Sequence, residues 1–277
     1  MKLGDFLFGT QYQFLTDLHT GINPKTDVFL VSNGEEKFVL RCQKAYKRNT
    51  SRVCCTHEKY IQFLSKLNKE EKEYFLIPKV IEMKELTLSS QDLAKDYIEF
   101  TVWPYAGQDL FELTVASSLT NEQLTKIHLR LIEILIILKK YSFVHRDLKI
   151  ENVVVNRDIP FLIDWEFADW AGAIANGSVD VYMSPEFYQQ RTLSSVTMDM
   201  WGLGTILFIT WGKSGMPEVS PEMLVEYFSE SKINYKWRNF NFSVEQLKLL
   251  QKILCFVEDR VTPEELKEMF NQSLRDV

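Results

Sequence analysis

An α+β fold in two lobes is what this sequence predicts, and three observations carry that expectation. Strand-like apolar runs crowd residues 13–103, helical periodicity fills 108–277, and Pro104-Tyr105-Ala106-Gly107 breaks the pattern between them. At 277 residues the chain exceeds one small core, yet no linker, repeat or low-complexity segment divides it. The expectation is a single domain over 1–277, with a sheet-rich lobe at 13–103, a hinge at 104–107 and a helical lobe at 108–277.

Taken in order, Val28-Phe29-Leu30-Val31 and Phe38-Val39-Leu40 read as strands, and Asn33-Gly34 between them signals a two-residue hairpin. Residues 51–68 read as a helix whose apolar face is Tyr60, Ile61, Phe63, Leu64 and Leu67. Strand-like runs follow at 75–82 and 97–103. Beyond the break, Thr120 with Gln123 three residues on forms a capping box, opening a helix to about Lys140. Its residues Leu124 to Leu138 are apolar on nearly every side, the mark of a buried helix. Short strands at Val153-Val154-Val155 and Phe161-Leu162-Ile163 bracket the turn Asn156-Arg157-Asp158. Further helices fit Met198–Thr210, Pro221–Phe228, Val244–Phe256 and Pro263–Phe270.

Composition excludes several functions. A net charge of −6 and a pI near 5.4 argue against holding a polyanion by electrostatics, so nucleic acid is not an expected partner. Cys42, Cys54, Cys55 and Cys255 show no CxxC spacing and the four histidines are scattered, so no zinc site is legible and free thiols in a reducing compartment are expected. The N-terminus carries Asp5 and lacks a signal-peptide core. The apolar run Leu131–Leu138 is interrupted by Glu133 and is too short to span a bilayer. A cytoplasmic protein without a membrane partner is the expectation.

Chemistry concentrates in His145-Arg146-Asp147-Leu148-Lys149-Ile150-Glu151-Asn152 and in Phe161-Leu162-Ile163-Asp164. A carboxylate at 147 can orient or deprotonate a hydroxyl, and a lysine at 149 can balance charge on a moving phosphoryl. Asn152 and Asp164 offer hard oxygen ligands for Mg²⁺. This string resembles the catalytic loop and magnesium-binding strand end of eukaryotic protein kinases. Met183-Ser184-Pro185-Glu186 looks like that family's Ala-Pro-Glu, and Glu258-Asp259-Arg260 like the arginine that pairs with its glutamate, so a Glu186–Arg260 ion pair is expected. Asp199-Met200-Trp201-Gly202-Leu203-Gly204 resembles the start of the central helix whose aspartate holds the catalytic-loop backbone. The resemblance implies a protein-kinase-like fold, ATP and Mg²⁺ as cofactors, and a protein substrate. Lys149 after Asp147 implies Ser/Thr specificity.

The first lobe departs from the family. Counted from Val28, the glycine-rich loop has Gly21, Asn23 and Thr26 where three glycines belong, with Pro24 removing an N–H donor. In Phe38-Val39-Leu40-Arg41-Cys42 an arginine stands where the family has its phosphate-binding lysine, and Glu58 is its expected partner. Lys25 and Lys37 are possible substitutes for that lysine. Asp164-Trp165-Glu166 replaces Asp-Phe-Gly, with Trp165 expected in the Phe pocket. The resemblance therefore assigns Asp147 and Lys149 to catalysis, Asn152 and Asp164 to metal, and Gly21, Asn23, Val28, Arg41, Glu58 and Asp109 to the nucleotide.

Segment 164–186 holds no Thr, Lys or Arg, so activation by its phosphorylation is not expected. Its Glu166, Asp169 and Asp180 point to a basic peptide as substrate. Three functions remain open on the residues: an ATP-dependent serine/threonine protein kinase, a pseudokinase that binds a partner, and a small-molecule phosphotransferase, the last because Ile-Asp-Trp-Glu at 163–166 is also reminiscent of aminoglycoside and choline kinases.

Overall fold

Alternation along Phe38-Val39-Leu40-Arg41-Cys42 decides the first sheet, because successive side chains of a strand point to opposite faces. The computed structural model describes residues 12–18, 26–44, 57–89, 94–174, 183–190, 194–213, 220–228 and 242–275. Strands β1 (Gln13–Asp17), β2 (Thr26–Ser32), β3 (Lys37–Lys44), β4 (Val80–Ser89) and β5 (Ala94–Pro104) form one antiparallel sheet in the order β1-β2-β3-β5-β4. One face carries Phe38, Leu40 and Cys42 with Val31, Phe100, Val102 and Tyr12 as a buried cluster. Burial and the nearby Asp27 carboxylate push the Cys42 thiol far up its range, so it packs as a small apolar group. Arg41 points to the other face, directly between Val28 of β2 and Thr101 of β5.

The β2–β3 turn is longer than Asn33-Gly34 predicts. Ser32 pairs with Lys37, leaving four residues in the loop. The Asn33 side chain accepts from the N–H groups of Glu35 and Glu36 at 3.0 and 2.8 Å, replacing a tight turn with a side-chain-capped one. Gly34 takes φ +97°, which an L side chain rarely adopts.

By its contacts the chain divides into two units, Met1–Glu58 with Leu76–Ala106, and Lys59–Phe75 with Gly107–Val277. Residues 59–75 group with the second unit. The reason is aromatic packing. Helix α1 (Glu58–Lys66) stacks Phe63 on Phe143 at 4.6 Å and Tyr60 on Trp165 at 4.4 Å, with Phe75 beside both Phe63 and Trp165. A short α2 (Lys69–Lys72) follows, capped by Asn68.

The second unit continues with β6 (Gln108–Asp109), α3 (Leu110–Val115) and α4 (Asn121–Lys140). Thr120 and Gln123 form the expected capping box on α4. Next come β7 (Phe143–Val144), β8 (Val153–Asn156), β9 (Ile159–Leu162) and β10 (Asp169–Trp170), where β6-β8-β9 and β7-β10 are two small antiparallel sheets. The β8–β9 turn holds Arg157 and Asp158 at φ +50° and +66°, the left-handed pair that a two-residue hairpin requires. Helices α5 (Pro185–Gln190), α6 (Val196–Gly212), α7 (Pro221–Phe228), α8 (Val244–Ile253) and α9 (Pro263–Arg275) complete the described residues. Every residue of α6 from Asp199 to Thr210 is buried, so α6 and α4 are the interior of this unit. No helix among the described residues is long and apolar enough to cross a membrane.

Between those helices lies a buried histidine. His128 of α4 is fully buried, its Nε2 sits 2.9 Å from the Thr210 hydroxyl, and the Trp211 and Phe270 rings pack edge-on against it. Desolvation lowers its pKa to about 3, so it is neutral in the folded chain and takes up a proton on unfolding below about pH 6.5. Because the unfolded state binds more protons, this stability is complete above the unfolded pKa and declines as pH falls toward the folded one. From pH 7.5 to 5.5 the expected loss is on the order of 1 kcal/mol. Urea melts of wild type and His128→Leu test it: the variant should show a shallower fall across that window, and parallel curves would refute the assignment.

Candidate active site

The loop after β7 cannot hold its shape alone. Arg146 has φ +70°, a conformation that costs a non-glycine residue energy unless its surroundings enforce it. Asp199 enforces it: its carboxylate, buried in the first turn of α6, accepts from the backbone N–H groups of His145 and Arg146 at 2.7 and 2.9 Å. Burial pushes the Asp199 pKa up, opposed by the nearby His145 and by these two N–H groups. Gly202, one turn further along α6, lets the loop approach closely. A Cβ there would lie 2.3 Å from the Leu148 carbonyl oxygen.

His145 ties the loop to the end of β9. Its Nε2 lies 2.9 Å from the Ile163 carbonyl, and its Nδ1 accepts from the Asp147 N–H at 3.3 Å. The tautomer protonated on Nε2 satisfies both contacts. From the other side, the Ile163 N–H donates to the Asn152 carbonyl at 2.9 Å. Asp164, the next residue, takes φ +62° before a 3₁₀ turn over Trp165–Phe167.

The chemistry-bearing side chains converge on Asp147. Lys149 Nζ lies 3.2 and 3.0 Å from its two carboxylate oxygens, and Asn152 Nδ2 donates to its Oδ2 and to its backbone carbonyl, each at 2.8 Å. Asp147 and Lys149 are half-buried, whereas Asn152 is buried. With Nδ2 so engaged, Asn152 Oδ1 is the atom that can ligate a cation. The donors that the resemblance assigns to a metal are then this amide oxygen and the Asp164 carboxylate. Hard oxygens in this small number suit Mg²⁺, which takes its remaining ligands from phosphates and water.

Trp165 is buried where the sequence expects an aromatic residue. It lies among Tyr60, Phe63, Phe75, Phe143 and His145, and its indole N–H donates to the Leu162 carbonyl at 3.1 Å. The expected Glu186–Arg260 pair is present as a fork, at 2.7 and 3.2 Å.

The nucleotide-side residues are in the first unit or at the start of the second. Val28 and Arg41 are brought together as a cross-strand pair. Glu58 is exposed at the first turn of α1. Lys37 opens β3, four residues from Arg41 and about 13 Å away along the strand, too far to take the place of Arg41 without a different ligand position. Gly21, Asn23 and Lys25 lie outside the described residues. Thr26 is buried in β2, where its hydroxyl donates to Gln43 at 2.9 Å, so the strand begins where the third loop glycine is expected.

Asp109 is the N-cap of α3, a helix absent from the sequence reading, and its Oδ1 accepts from the Glu112 N–H at 2.7 Å. One expectation changes. Asp169 is not a solvated acid facing a basic substrate. It pairs with Lys59 of α1 and with Arg146 at 3.5 Å, and only 13% of its side chain is exposed. Burial opposes its ionisation, but Lys59, the Trp170 N–H and Arg146 together hold its pKa below the usual value. Asp180 lies outside the described residues. The Lys59–Asp169–Arg146 link spans over a hundred residues of sequence, and no local pattern signals it.

A strand-rich unit, a helical unit and a loop whose backbone a helix aspartate holds and whose own aspartate meets a lysine and an asparagine define a fold of the protein kinase class. Residues 35–270 match the protein kinase domain, and the chain belongs to the eukaryotic-type protein kinase family. A solved kinase of Cydia pomonella granulovirus, PK-1, superposes with a TM-score of 0.64 at 17% identity, covering 92% of each chain; this is a likeness of fold. Serine/threonine-protein kinase 1 of Lymantria dispar multicapsid nuclear polyhedrosis virus is 31% identical over 173 residues, 61% of this chain and 57% of that protein. The Schizosaccharomyces pombe serine/threonine-protein kinase ppk25 is 29% identical over 148 residues, covering 50% of this chain and 34% of its own length. The matches thus span less than two thirds of either relative.

Proposed function

We propose that the protein is an active, ATP- and Mg²⁺-dependent serine/threonine protein kinase that transfers the γ-phosphoryl to a protein hydroxyl. The observation that carries this reading is the fixed geometry of Asp147, with Lys149 and Asn152 on its carboxylate. Asp147 accepts a hydrogen bond from the acceptor hydroxyl and takes its proton as the new P–O bond forms and the γ-phosphorus bond to the β,γ-bridging oxygen of ATP breaks, with ADP leaving. Lys149 Nζ donates to the transferring phosphoryl, where charge stabilisation aimed at the transition state is the largest catalytic contribution. Asn152 Oδ1 and Asp164 would hold Mg²⁺, which when bound offsets charge on the phosphates. Arg41 provides the positive charge for the α- and β-phosphates, with Val28 against the base and Glu58 as its orienting acid. Lys149 following Asp147, together with the serine/threonine kinases among the relatives, supports the acceptor class.

One observation favours a second reading, a binding module that transfers nothing. Arg41 occupies the lysine position on β3, and a planar fork does not reproduce the point charge of a lysine. Phosphate transfer from Mg²⁺-ATP to the chain itself or to a generic basic protein separates the two readings. Transfer is expected, together with a rise in melting temperature on adding Mg²⁺-ATP. Neither effect in wild type would refute the kinase reading. In the same assay Arg41→Ala should raise KM for ATP by about 10- to 100-fold, the worth of a charged hydrogen bond. An unaltered KM would remove Arg41 from the nucleotide site.

A further inference from the structure

Arg146 is nearly buried, with 8% of its side chain exposed, and its charge needs a counter-ion. Within the described residues its ion-pair partner is Asp169, on β10, and the Asp199 carboxylate adds to the negative charge around it. Asp169 sits directly opposite Val144 in the β7–β10 ladder, two residues before Arg146 in the chain, so its position is set by backbone pairing rather than by a mobile side chain. It also reaches α1 through Lys59, and two turns along the same helix Lys66 lies 3.6 Å from the centre of the Trp170 ring. The two residues of β10 are therefore each gripped by a cation of α1, while Asp169 also grips the catalytic loop.

Charge in this place decides how the loop is held. The φ +70° at Arg146 is fixed from the backbone side by Asp199 and from the side-chain side by Asp169. A phosphate added near Arg146 would bring about two negative charges beside a carboxylate already there, and so would repel rather than order.

We infer that Asp169 is a positioning residue for phosphoryl transfer: it supplies from the chain's own sequence the negative charge that locks Arg146, and hence Asp147, without a phosphorylated residue. The inference rests on the kinase reading above for its effect on rate, but not for its effect on loop order.

The test combines both effects. Asp169→Asn should lower kcat by about 10²-fold, the loss expected when reacting groups are misplaced by an ångström, with KM for ATP changed less than threefold. Asp169→Glu should recover most of the rate, because it restores the charge. Amide hydrogen exchange over residues 143–149 should quicken in Asp169→Asn and stay near wild type in Asp169→Glu. Lys59→Met, at a half-exposed site, should quicken exchange in α1 and guards against a folding failure of the first variant. Phosphatase treatment of wild type should leave its rate unchanged. If wild type transfers nothing, the kinase reading fails while exchange still decides the positioning role. Unchanged exchange in Asp169→Asn, or a wild-type rate abolished by phosphatase, overturns the inference.

Discussion

Asp147→Asn is expected to reduce phosphoryl transfer by about 10²–10⁴-fold with little change in KM for ATP. The amide is nearly isosteric and can still accept from Asn152 Nδ2 at its remaining oxygen, so the loop should keep its course. What disappears is the negative charge that takes the hydroxyl proton, and with it the partner that Lys149 holds at 3.0 Å. Lys149 then loses this carboxylate, and part of the loss comes through its displacement. Removing Lys149 and Asp147 together should therefore cost little more than either alone, because the two act as a unit. The measurement is kcat for a serine- or threonine-containing acceptor in the single and double variants. Single losses that multiplied in the double variant would show that the pair acts independently, and full activity in Asp147→Asn would remove the aspartate from the mechanism.

The convergence of Lys149 and Asn152 on Asp147 was legible in the sequence because its geometry is local. Asp147, Lys149 and Asn152 lie within six residues, and a loop that short leaves few ways to arrange them. The helices α4 and α6 were legible because continuous burial leaves an apolar pattern that no surface helix shows. The residues that the resemblance assigns to the nucleotide were less so. Asp109 suits both an N-cap and a ligand, and its residue type alone did not reveal the α3 helix that it caps. Asn33-Gly34 favours a two-residue turn on backbone grounds, but Asn33 has a side chain that can satisfy two N–H groups, which made the longer loop better. The sequence points Asp169 at a basic substrate because its partners, Lys59 and Arg146, are distant in sequence and charge pairs leave no periodicity. The grouping of 59–75 with the second unit was hidden for the same reason: Phe63 and Phe143 stack across 80 residues.

Arg260→Leu is expected to destabilise the folded chain by about 3–5 kcal/mol, the cost of breaking a buried ion pair from one side. The arginine side chain is fully buried, and each of its five N–H donors has an acceptor. Nη1 bonds the Glu186 carboxylate and the Thr197 carbonyl at 2.7 Å each, Nη2 bonds Glu186 and the Cys255 carbonyl at 3.2 and 2.7 Å, and Nε bonds the Ile253 carbonyl at 3.0 Å. The guanidinium also lies 5.2 Å from the centre of the buried Trp201 ring. One side chain thus ties α5, the start of α6 and the end of α8. Leucine would leave a carboxylate and three carbonyls without their donor, in a place that water reaches poorly. Arg260→Lys discriminates the causes. Lysine keeps the charge but has three donors on a single atom and cannot serve acceptors arranged as a fork. If charge alone mattered, Lys would restore wild-type stability; since the fork serves three separate elements, Lys should recover less than half of the loss. Urea unfolding of the three proteins measures this directly, and a lysine variant as stable as wild type would show that the pairing with Glu186, rather than the carbonyl network, holds these helices.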